Sequence, residues 1–169
     1  MELHFVHYAS YHDSMFDAFY EDKPESFAVL GVFFTLTKKH NPNLQPIVSQ
    51  LRNILVPRES KHFIKKSVNL YWLIPRNLNF FTYKGSFTYP PCAEVVLWNV
   101  FETPIPISER QLKAFRRLKT YKGESMADNF RSEQRLGDRP LVLYQNVRVS
   151  GADCNDKFNC WGYGKRPIL

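Results

Sequence analysis

Several common devices are missing from these 169 residues. No apolar run of about 18 residues occurs, so no membrane-spanning helix is expected. Residues 1–30 lack the charged start, apolar run and small-residue cleavage site of a secretory leader. The chain begins directly in a strand-like pattern, which predicts further sequence upstream. Basic residues come in pairs such as Lys38-Lys39, Lys65-Lys66 and Arg116-Arg117, never five in a row. No nucleic-acid motif accompanies them, so a nucleic-acid partner is not expected. The seven glycines form neither a dinucleotide fingerprint nor a phosphate loop, and there is no Gly-x-Ser-x-Gly. The five histidines include no His-x-His pair, and the three cysteines lack zinc-ribbon spacing. On residues alone, a complete metal site is absent. Cys154 and Cys160 are close enough to bridge the stretch CNDKFNC, which leaves Cys92 odd. In an oxidising compartment that implies an absent partner; in a reducing one all three are thiols.

What is present is a core-forming composition. The chain is 44% hydrophobic and 15% aromatic, with 23% charged residues, which predicts one folded domain. The formal net charge is +7, consistent with a solvated basic surface or an acidic partner.

The opening ELHFVHYA alternates as a strand. Glu2, His4, Val6 and Tyr8 face one way; Leu3, Phe5 and His7 face the other. Residues 11–25 read as a connection. Residues 26–37 (SFAVLGVFFTLT) are apolar on both faces and predict a central strand. Residues 41–55 carry apolar residues at helical spacing, with Asn43 as a cap. NLYWLIPRN holds a short turn, and two strand-like runs flank GSFTYPP. Residues 106–118 predict a helix capped by Ser108. RPLVLYQNVRV reads as a last strand, and the tail from Ser150 as a loop. Strands outnumber helices without alternating with them. The fold class expected is mainly β, a mostly antiparallel sheet with helices at its margins.

Two stretches could carry chemistry. On a strand, Glu2 and His4 share a face, and the carboxylate can accept the ring N–H. That fixes the tautomer and makes the other nitrogen a better ligand or base. In GSFTYPP the two prolines hold the segment extended, which can fix the Thr88 hydroxyl in place. The ordinary readings are a packed histidine and an edge loop. His12, His40 and His62 sit in polar contexts and read as surface residues.

Five blocks in order, ELHFVHY, KPESFAVLGVFF, GSFTYPPCAEVVLWNV, PIPISERQLKAFRRL and ADNFRSEQRLGDRP, resemble the α-class carbonic anhydrases over about residues 1–145. The resemblance implies part of a large, mostly antiparallel twisted sheet. It implies zinc held by three histidines and reversible hydration of carbon dioxide to bicarbonate. Matched residue by residue, His4 resembles the third zinc ligand and Glu2 the carboxylate that orients it. Thr88 resembles the threonine that hydrogen-bonds the attacking oxygen. Val6, Val29, Phe87, Tyr89, Val95 and Trp98 resemble the substrate pocket, with Phe87 in place of a usual leucine and Tyr89 in place of a threonine or histidine. Asn129 and Arg131 match a structural block. Cys92 resembles the cysteine that bridges to an N-terminal partner in secreted members. With Cys154 and Cys160 it is a disulfide candidate and points to an extracellular location.

The family's His-x-His pair, the glutamate that partners the threonine and the proton-shuttling histidine normally lie in an N-terminal half that these residues do not contain. The organisation expected is a partial carbonic anhydrase domain at 1–148 and an unmatched tail at 149–169. The leading expectation is the C-terminal part of a zinc enzyme. The alternative is a non-catalytic relative that binds acidic partners or mineral surfaces. With sheet edges left open, these residues alone are expected to aggregate.

Overall fold

The computed structural model describes residues 1–21, 23–57, 62–64, 66–149 and 161–167, with backbone alone for 146–149 and 161–167. In chain order the elements are β1 (Glu2–Tyr8), α1 (Met15–Tyr20), β2 (Phe27–Thr37), α2 (Gln45–Val48), β3 (Phe80–Gly85), β4 (Val96–Phe101), β5 (Ile105–Ser108), α3 (Glu109–Arg116), β6 (Val142–Val149) and β7 (Trp161–Pro167). Single 3-10 turns occur at Pro42–Leu44, Leu51–Asn53 and Leu70–Leu73. The residues divide into two units. The larger takes in 2–33, 75–103 and 131–169; the smaller takes in residue 1, 34–74 and 104–130.

The larger unit is built on an open, mixed sheet in the order β1-β2-β4-β3-β6-β7. The sequence expectation of a mainly β chain holds. Strand β2 pairs antiparallel with β1 and parallel with β4, while β3 pairs antiparallel with both β4 and β6. Hydrogen-bonded on both sides, β2 is central, as its apolar faces require. Phe27, Val29, Val96 and Trp98 share one face of this sheet by register. They pack with Ala18, Phe87 and Val95 into the core. The opposite face carries Phe80 stacked on Tyr144, with ring centroids 4.9 Å apart.

In the smaller unit, Phe34–Thr37 at the end of β2 pair parallel with β5. Helix α3 begins where β5 ends. Ser108 caps it in a reciprocal capping box with Gln111, as the sequence predicts for this residue. Gln111 is itself buried. Its Oε1 accepts the Asn41 N–H at 2.9 Å and its Nε2 donates to the Asn41 carbonyl at 2.7 Å.

Three sequence expectations are corrected. Residues 41–55 do not make one helix: Pro46 lacks the N–H that would bond back to Pro42 and continue the first turn. The stretch breaks into a 3-10 turn, the four-residue α2 and a second 3-10 turn. Its cap is Asn41, whose side chain accepts the Asn43 N–H at 3.0 Å. The 11–25 connection contains α1, whose cap Ser14 accepts the Asp17 N–H at 3.1 Å. The tail is not all loop, because β7 pairs antiparallel with β6.

Candidate metal and substrate site

Alternation along β1 sends Glu2, His4 and Val6 to one face. His4 lies opposite Gly31 and Val6 opposite Val29 on β2; one strand further, Gly31 lies beside Val100 and Val29 beside Trp98. The Nε2 of His4 is 3.2 Å from Glu2 Oε1. The carboxylate is placed to accept an Nε2–H, an arrangement that turns Nδ1 toward a ligand role. The hydrogen bond from His4 holds the Glu2 carboxyl below the ordinary glutamate range, against partial burial that pushes it up. The His4 ring stands edge-on to the Trp98 indole at 4.8 Å. Gly31 lies against Val100, where a Cβ would sit 3.3 Å from the valine side chain. Gly85 opens space for the indole, since a Cβ there would lie 2.9 Å from Trp98 Cδ1.

The loop after β3 carries Thr88. Trp98 Nε1 donates to the Ser86 carbonyl at 3.0 Å, and the Phe87 N–H donates to the Ala93 carbonyl at 3.1 Å. Arg131 Nη1 donates to Ser86 Oγ at 2.6 Å and to the Phe87 carbonyl at 3.4 Å. Phe87 is buried against Phe27, with ring centroids 4.9 Å apart. The loop is thus pinned at both ends, and between them Thr88 and Tyr89 are exposed. The Pro90–Pro91 peptide is cis, and Cys92 has φ 60° in the left-handed region. Cys92 is half-buried with a free thiol; Cys154 and Cys160 lie outside the described residues.

The structure thus brings Glu2, His4 and Trp98 together. Of the pocket candidates, Val29, Phe87, Val95 and Trp98 join the core, whereas Val6 and Tyr89 are exposed. No group of three or more His, Cys, Asp or Glu side chains that could hold a metal occurs among the described residues. Zinc needs three protein ligands for a catalytic site, so the residues present do not fit it by themselves.

A eukaryotic-type carbonic anhydrase description matches residues 1–145. The chain belongs to this carbonic anhydrase family. Carbonic anhydrase 15 of Mus musculus is 35% identical over 157 residues, covering 88% of this chain and 48% of that protein. The carbonic anhydrase-related protein of Homo sapiens is 34% identical over 152 residues, covering 83% of this chain and 51% of that protein. The chain spans about half the length of the curated relatives it matches.

Sequence reasoning missed two parts of this face. Helix α1 places an aromatic side chain next to the loop: Phe19 is 5.7 Å from Phe87. The signal was present in Ser14-x-x-Asp17, a helix-start pattern. His12, expected at the surface, is buried, and its Nε2 lies 3.0 Å from Ser26 Oγ. Its Nδ1 lies 3.0 Å from Glu21 Oε2, out of line for a hydrogen bond. The polar flanks of His12 hid the turn that folds it inward, where its backbone N–H donates to Ala9.

Proposed function

We propose that this chain is the C-terminal part of a zinc-dependent carbonic anhydrase that interconverts carbon dioxide and bicarbonate. His4 is one zinc-holding histidine, and two more come from sequence outside these residues. The Glu2–His4 pair carries this reading: a carboxylate 3.2 Å from Nε2 leaves Nδ1 as the coordinating nitrogen. Thr88, exposed on the pinned loop, is the hydrogen-bonding hydroxyl of the reaction. Val6, Val29, Phe87, Tyr89, Val95 and Trp98 form the apolar side of the substrate pocket. Residues 1–148 are the family part and 149–169 an appended tail. The location that goes with this reading is extracellular, with Cys92, Cys154 and Cys160 as disulfide candidates.

The test uses the full reading frame that contains these residues. Thr88→Ala should lower carbon dioxide hydration about a hundredfold with zinc retained, the scale of one lost transition-state contact. His4→Ala should lose zinc as well as activity. Equal zinc content and equal rate in the His4 variant would overturn the assignment.

A second reading, a non-catalytic relative acting as a binding or matrix protein, goes with the similarity to a carbonic anhydrase-related protein. A full-length protein that binds no zinc would decide for it.

A further inference from the structure

A groove of about 1120 Å³ runs along α3 in the smaller unit. Arg110, Lys113, Ala114 and Arg117 of α3 and its cap line one wall, at the spacing of a single helix face. Val48, Leu51 and Leu55 supply apolar surface, and Arg52 stands among them. Lys113 is paired with Glu109 at 2.8 Å. Arg52, Arg110 and Arg117 have no carboxylate partner among the described residues, and all three are exposed. The groove thus joins apolar side chains to three uncompensated guanidinium groups, with Glu109 the one acidic lining residue and already engaged.

We infer that this groove docks a short acidic peptide segment of a partner protein, one that places apolar side chains between its carboxylates. Charge selects the occupant. A guanidinium offers paired donors to a carboxylate, whereas a basic or neutral segment would leave three cations uncompensated. The apolar lining selects against a purely polar polyanion, which would cover Leu55 without filling the space beside it. The inference goes beyond the zinc and carbon dioxide reading and does not depend on it, because every residue it uses lies outside the Glu2–His4 face.

The test is titration of the full-length protein with labelled synthetic peptides that alternate Glu with Leu, Glu with Ser, or Lys with Leu. The Glu/Leu peptide should bind saturably and weaken as salt rises. Glu/Ser should bind more weakly and Lys/Leu not detectably. Arg110→Glu with Arg117→Glu should weaken Glu/Leu binding by about tenfold or more through like-charge opposition, and Leu55→Asp should weaken it as well. Both variants change exposed residues, and an unchanged melting temperature checks the fold. Equal binding of the Glu/Leu and Lys/Leu peptides, or binding indifferent to charge reversal, would overturn the inference. So would a dimer in solution that Arg110→Glu disperses, because the occupant would then be a second copy. Carbon dioxide hydration, measured on the same variants, reports separately on the zinc reading.

Discussion

The ring of His4 stands edge-on to the indole of Trp98, with centroids 4.8 Å apart. The indole is held in place. Its Nε1 donates to the Ser86 carbonyl, and Gly85 leaves the space it occupies. One aromatic side chain therefore links the histidine on β1 to the loop that carries Thr88.

Gly85→Ala should be destabilising by about 1–3 kcal/mol, because the added methyl would overlap a rigid ring rather than a flexible chain end. Trp98→Phe keeps most of the packing and strands the Ser86 carbonyl, which should cost about 1 kcal/mol. Denaturant unfolding of both variants checks the order, with the glycine change at least as severe as the tryptophan one.

Arg131 is joined to Ser86 across 45 positions of sequence. Arg131→Ala should cost about 1–3 kcal/mol, the range for losing hydrogen bonds from a charged group. It should also loosen the loop locally. Hydrogen exchange should speed up at the Phe87 and Cys92 amides, which donate to Ala93 and Tyr89, while β4 amides change little.

The Glu2 carboxyl is held below its ordinary range by the His4 N–H. A depressed carboxylate contributes stability that is present above the ordinary value, here 4.5, and is lost as pH falls through its lower native value. Stability should therefore decline below about pH 4.5 more steeply in the parent than in Glu2→Gln. Parallel unfolding curves for the two across that range would show that the hydrogen bond contributes nothing.

Burial of His12 against Ser26 makes it part of the packing beneath the 9–26 segment. His12→Ala should be destabilising by about 2–4 kcal/mol through cavity formation and a lost partner for Ser26. His62→Ala, at an exposed position, should be close to neutral. Thermal melts of the two variants separate a buried histidine from a surface one.

Much of this was legible in order along the chain. Alternation in ELHFVHY placed Glu2 and His4 on one face because side-chain direction in a strand is a local property with period two. The apolar run 26–37 announced a central strand, and Ser108 announced the start of α3, because a cap is satisfied within one helical turn. Pro46 was equally visible, and its missing donor opposes the helical spacing of Leu44, Ile47, Val48 and Leu51.

Other features belong to the tertiary structure. The parallel pairing of β2 with β4, the closeness of His4 to Trp98, the anchoring of the Thr88 loop by Arg131 and the burial of His12 all join residues distant in sequence. Their register is set by which faces can be packed together, and no local pattern encodes that. Sequence by itself determined which side chains could act together at the Glu2–His4 face, because alternation along one strand is local; three-dimensional packing decided that Trp98 supports that face, because strand pairing brings together residues distant in sequence.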